Sequence, residues 1–169
     1  MRFFTILVYS FLALNLSSCK TVKDSAEKKM LLTIDSIDNT SKKLYLLKNK
    51  KLEVIMINGS LSYKMEDNEK TSVLLFVYEK NIDQAAYDGG YREEIIFEIP
   101  NGAAEKRYSD DELQNTKMLF GRYCFCRGKN GLFKVKKGKL HITLSKKEPH
   151  FELQFKIDEV PQEITEIIY

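Results

Sequence analysis

Four side chains carry the chemistry of a soft-metal or thiol site: Cys124, Cys126, His141 and His150. Thiolates and imidazoles are the usual zinc ligands, and two cysteines one residue apart can also form a redox pair. On an extended strand Cys124 and Cys126 face the same way. Their Cα atoms would then lie about 6.6 Å apart, near the upper limit for a disulfide, with Cβ vectors parallel rather than converging. A disulfide between them needs a bend. Strand alternation places His141 and His150 on polar faces, so a Cys₂His₂ set could assemble across neighbouring strands. The spacing fits no zinc finger or ribbon. The favoured reading is therefore two thiols packed as small hydrophobes behind Tyr123 and Phe125. A strained disulfide between the two, or one to another chain, stands second, and a metal-binding or thiol-redox role for Cys124, Cys126, His141 and His150 is the sharper alternative.

Other candidates are plainer. Glu93, Glu94 and Glu98 flank a strand, and Glu94 and Glu98 share a face. A carboxylate hydrolase could use such groups, but nothing separates them from solvated edge residues. Asp110, Asp111 and Glu112 follow Ser109 and read as first-turn acids of a capped helix rather than as ligands. Lys134, Lys136, Lys137, Lys139, Lys146 and Lys147 read as turn and edge lysines that discourage edge-to-edge pairing. The chain lacks G-x-S-x-G, H-E-x-x-H, a phosphate loop and a dinucleotide fingerprint. No catalytic residue and no cofactor are expected, and the balance tips away from an enzyme.

The elements that must position these residues are mostly strands. "MLLTIDSI" (30–37), "KLYLL" (43–47), "LEVIMI" (52–57) and "EIIFEI" (94–99) are strand signals. "KNKK" looks like a hairpin turn between the second and third, and "NGS" (58–60) a chain break. "SVLLFVYE" (72–79) is apolar without alternation, which predicts a central strand covered on both faces. "AAYDGGY" (85–91) reads as a loop. "KMLFGRYCFCR" (117–127) reads as one strand, leading through "GKNG" to "LFKV" (132–135), with "KKGK" turning that into "LHITL" (140–144). Leu140, Ile142 and Leu144, then Phe151, Leu153, Phe155 and Ile157, alternate with polar residues as half-buried antiparallel strands do. Residues 160–169 fit a strand or a helical turn, and strand is preferred. The sum is an all-β fold: an antiparallel sandwich or small barrel of about eight to nine strands, with one short helix near 109–117.

The N-terminus says where such a domain would sit. Arg2 precedes an apolar run over residues 3–16, shorter than the roughly 20 residues that cross a bilayer as a helix and suited to a secretory h-region. Leu16-Ser17-Ser18-Cys19 closes the run and resembles the lipobox of bacterial lipoproteins. The resemblance covers residues 1–19 only. It implies cleavage before Cys19, a diacylglyceryl group on its thiol with acylation of the new amine, and a bacterial cell-envelope location. Lys20, in place of an Asp, points to the outer membrane. Two or more acyl chains hold a protein stably where one does not. Residues 1–18 are then a signal peptide. The lipidated Cys19 and a polar tether run to residue 29, and residues 30–169 form one β domain. In that oxidising compartment free thiols at Cys124 and Cys126 call for an explanation.

Composition narrows partners. The net charge of +3 falls to +2 once Arg2 leaves with residues 1–18, too weak to argue for nucleic acid. The absence of Trp disfavours an aromatic sugar platform. The expected partners are the membrane, through Cys19, and a protein or polysaccharide bound by the β domain.

Overall fold

A computed structural model describes residues 29–37, 39–81, 90–102, 104–125, 127–128, 130–145 and 148–169. The signal peptide and nearly all of the tether, with Cys126, Lys146 and Lys147, lie outside the described residues. Twelve strands occur among these residues. They are β1 (Lys29–Ile37), β2 (Thr40–Leu47), β3 (Lys50–Ile57), β4 (Ser60–Asp67), β5 (Thr71–Asn81) and β6 (Gly90–Pro100). They continue with β7 (Ala104–Ser109), β8 (Leu119–Tyr123), β9 (Gly131–Lys134), β10 (Gly138–Leu144), β11 (Pro149–Phe155) and β12 (Glu166–Ile168). The order β1-β2-β5-β6-β8-β9 makes one sheet, β12-β11-β10-β7 a second, and β3-β4 a separate hairpin. All pairings are antiparallel. Both larger sheets keep open edges, so the architecture is layered rather than a closed barrel.

The layers follow from β5. Every residue from Ser72 to Tyr78 is buried, because β5 lies inside the sheet and both of its faces are covered. On one face Leu74, Phe76 and Phe97 meet Leu140, Ile142, Phe151, Leu153 and Phe155 of the four-stranded sheet. Phe97 and Phe151 pack edge to face, with ring centroids 5.6 Å apart. On the other face Val73, Leu75, Val77, Ile96 and Leu119 meet Leu52, Val54, Tyr63 and Met65 of the β3-β4 hairpin. The hairpin is also pinned by polar contacts. Leu52 N donates to Glu98 Oε2 at 2.8 Å, and Lys117 Nζ donates to both Glu98 Oε2 and Leu52 O at 2.8 Å. The alternations of β10 and β11 hold as expected, with Leu140, Ile142, Leu144, Phe151, Leu153 and Phe155 turned inward. Residues 166–168 are a strand, β12.

Several expectations are corrected. The fold has more strands than eight or nine, because β4 and β7 are strands too. "KNKK" is not a hairpin turn: β2 and β3 belong to different sheets. Asn49, at φ 59°, carries the chain between layers, and its N–H donates to Ser72 Oγ at 3.3 Å. The hairpin turn lies instead at Asn58-Gly59, read as a break. Both residues have positive φ, 50° and 80°, as the primed turns that match strand twist require. "KKGK" likewise passes from β9 in one sheet to β10 in the other. Gly138 is obligatory there: its φ is 141°, and a Cβ would stand 2.1 Å from Gln154 O. The helix is a 3₁₀ helix, Asp110–Thr116. Ser109 N and its hydroxyl both donate to Glu112 Oε2 at 3.0 Å. Asp110 Oδ1 accepts from Gly138 N at 3.0 Å. These acids fasten the turn. The 117–127 strand stops at Tyr123, and Cys124 and Phe125 sit in a bend.

Candidate functional site

The bend changes the cysteine chemistry. Cys124 is disulfide-bonded and partly exposed, not a thiol buried in the core. A continuous strand would disfavour a disulfide here, but β8 ends at Tyr123, one residue before Cys124. Phe125 hides nothing, since it is 89% exposed. The chain's other cysteines, Cys19 and Cys126, lie outside the described residues. Asn130 clamps the bend. Its Oδ1 accepts from Cys124 N at 3.0 Å, its Nδ2 donates to Cys124 O at 2.5 Å, and Oδ1 lies 3.1 Å from Cys124 Sγ.

The histidines sit elsewhere. Both lie on the outer face of the four-stranded sheet, as alternation indicated, whereas Cys124 follows β8 of the six-stranded sheet. His141 Nε2 is 2.9 Å from Glu105 Oε1, and His150 stacks on Tyr169 at 6.0 Å between ring centroids. Among the described residues no three His, Cys, Asp or Glu side chains gather as a metal site would need. A disulfide sulfur is not a thiolate ligand either. Around His141 the outer face holds a depression of about 380 Å³, lined in part by Arg107, Lys139, Glu152 and Glu166. Its charges are mixed.

The carboxylates were underestimated. Glu93 and Glu94 are 1% and 2% exposed, on the central strand β6 rather than at an edge. They point to opposite faces. Glu93 accepts from Glu163 N at 2.7 Å and Ile164 N at 2.8 Å, and from the Tyr91 hydroxyl in a short bond. Arg122 Nε donates to the same tyrosine at 3.3 Å. Glu93 thus ties the segment before β12 to the central sheet. Glu94 turns to the hairpin face and accepts from Tyr123 OH at 2.8 Å, Tyr63 OH at 3.4 Å and Arg92 Nη2 at 2.7 Å. Tyr123 reaches it by folding over Gly121, where a Cβ would meet Glu94 Cγ at 2.6 Å and the Tyr123 ring at 2.9 Å. Burial and the neighbouring Glu94 charge push the Tyr63 hydroxyl up to about 12 and raise that of Tyr123 further. Glu98, sharing Glu94's face, is already held by Leu52 N and Lys117. Each of these three carboxylates is committed to protein donors. The signal for burial was available: Glu93 and Glu94 open an apolar run that must pair with the buried β5.

The polar row continues through Glu79, which Lys43 Nζ meets at 2.9 Å and holds below the usual carboxylate range. At the sheet end, Glu79, Lys80, Tyr91, Arg92, Tyr123, Cys124 and Phe125 line an open cleft of about 530 Å³. Strand register gives this end its place. β1 starts at Lys29, paired with Leu47, which pairs with Val73 and so with Glu98. Cys124 follows Tyr123, which pairs with Arg92, at the other end of the strands. The hairpin runs from Leu52, beside Glu98, past Tyr63, beside Glu94. Its tip therefore advances toward the Cys124 end. Met56 and Ile57, next to the turn, are 62% and 51% exposed.

Comparison with protein-family models, with curated proteins and with solved structures returns no match. No helix among the described residues is long and apolar enough to cross a membrane.

Proposed function

We propose that the protein is a lipid-anchored lipoprotein of the bacterial cell envelope, held at the outer membrane through Cys19, whose β domain docks a partner protein. The lipobox Leu16-Ser17-Ser18-Cys19 supports the anchor. The bare apolar side chain of Phe125, on a clamped bend at the end of the sheet away from Lys29, where β1 starts, carries the docking reading. An exposed aromatic ring presents a large contact area with only two side-chain torsions to order on binding, as interface anchors do. Met56 and Ile57 extend that end with aliphatic rather than ring surface, which suits a protein better than a polysaccharide.

Two experiments test the two halves. Cys19→Ala, or inhibition of the lipoprotein signal peptidase, is expected to release the protein from the membrane fraction; continued pelleting with membranes would sink the anchor. A photo-crosslinking residue at position 125, in cells, is expected to yield a discrete protein adduct that the same probe at exposed Lys106 does not. Equal labelling at both positions would remove the docking surface.

A further inference from the structure

We propose that the outer face of the four-stranded sheet binds a free α-amino acid, with Glu152 taking its ammonium group and Lys139 its carboxylate. The site lies on a different layer from the bend of Phe125 and stands on the arrangement of charge around one depression. Register sets that arrangement. Arg107, His141 and Glu152 stand in one row across β7, β10 and β11. Ser109, Lys139, Gln154 and Glu166 stand in the next row, which reaches β12. Leu140, Ile142, Phe151 and Leu153 take the inner face, so these rows face outward.

The charged groups here divide into two sets. Most are satisfied by the protein itself. Arg107 Nη2 and His141 Nε2 each lie 2.9 Å from Glu105 Oε1. Gln154 Nε2 donates to Glu166 Oε1 at 2.9 Å, and Ser109 holds Glu112. Glu152 and Lys139 differ: among the described residues neither makes an ion pair or a side-chain hydrogen bond. They are opposite in sign and diagonal neighbours, because Lys139 pairs with Gln154, two residues along the same face from Glu152. Their Cβ atoms are then about 7 Å apart. A direct ion pair is within reach of these two long side chains and is not formed. Both border the depression of about 380 Å³, a size that suits a small ligand.

An α-amino acid carries both charges on one carbon. With a charge-assisted hydrogen bond of about 2.8 Å at each end, it spans a gap of this size. A simple anion would meet Lys139 but face the like charge of Glu152, and a simple cation would meet the reverse. Ser109 and Gln154 make the surroundings polar, and a second depression of about 460 Å³ continues from Lys139 and Gln154 past Lys156. A polar side chain has room there.

The test is an amide chemical-shift titration of the full-length, detergent-solubilised protein with L-serine, L-glutamine and L-arginine. At least one is expected to saturate and to move amides of β10 and β11. Acetylating the amine of that amino acid, or amidating its carboxylate, is expected to weaken it about tenfold, the size of one charged hydrogen bond. Glu152→Gln is expected to abolish the discrimination against the acetylated form, and Lys139→Gln that against the amide. Both positions are exposed, so the urea midpoint should stay unchanged. No saturation by about 10 mM with any of the three overturns the proposal. So do blocked forms that bind as well as the free amino acid, or affinities left unaltered by both substitutions. The crosslink at position 125 reads a different layer, so either result can fail without the other.

Discussion

The two faces of the six-stranded sheet are covered in different ways, and adjacent residues of β6 display the difference. Glu93 points toward the four-stranded sheet and Glu94 toward the hairpin. Both are buried and both accept three hydrogen bonds. Glu93 accepts two of its three from backbone amides of a distant segment, so it holds chain to chain. Glu94 accepts all of its three from side chains, two of them tyrosines at the rim of an open cleft. One face is a closed core with its carboxylate used as a clasp. The other is a lid of only two strands, with its carboxylate organising the polar end where the cleft and the bend lie.

The largest effect that would sharpen this contrast is at the clasp. Glu93→Ala leaves two backbone donors and a tyrosine hydroxyl without their acceptor, and is expected to cost about 4 kcal/mol. Urea denaturation measures it, and limited proteolysis near residues 159–165 should quicken. A loss no larger than that of Glu94→Gln would break the distinction. Glu94→Gln keeps volume and one acceptor, and is expected to cost about 2 kcal/mol. Its hydrogen exchange should rise in β3 and β4 while the β10 and β11 amides stay protected.

A third test uses pH. Tyr63 is held neutral in the folded protein up to about 12, against about 10 in an unfolded chain. Above about pH 10 the unfolded state loses this proton first, so it binds fewer protons than the native state and stability falls as pH rises. The hairpin face should therefore loosen between about pH 10 and 12. Tyr63→Phe is expected to flatten that fall in a series of urea midpoints. Smallest of all is the hairpin's outer surface, where Lys64 bridges Glu53 and Glu66. Exposed pairs of this kind contribute little. Lys64→Ala should leave the urea midpoint unchanged, and a clear drop would mean the hairpin is held from outside rather than by Leu52 and Glu94.

Much of the fold was legible in the residues. The unbroken apolar run of β5 announced burial on both sides, and the alternations of β10 and β11 named their inward faces. Ser109 and its acids marked the helix start. The turns were harder. "KNKK" and "KKGK" have hairpin composition, yet both pass from one layer to another, since turn residues state that the chain bends and not where it goes next. "NGS" was the opposite case: Asn58-Gly59 carries the stronger hairpin signal, but "SLSYKMED" has too little apolar alternation to stand out as β4. For the candidate site the residues named included Cys124, took Tyr123 and Phe125 for cover over it, and missed Asn130, Arg92 and Tyr63. Asn130 is six residues from Cys124, across a turn whose path only the folded backbone defines.

The sequence by itself determined an antiparallel all-β fold, a doubly buried central strand and the inward side chains of the C-terminal hairpin. These are properties of local periodicity, which reports the face on which each side chain stands. Only the tertiary structure decided that Glu93 and Glu94 are buried, that Cys124 lies in a bend and forms a disulfide, and that Phe125 faces solvent. Those outcomes depend on which distant segment covers each face, and on a strand ending one residue before the cysteine. A side-chain period of two says which way a residue points, and the packing of layers far apart in the chain says what it meets there.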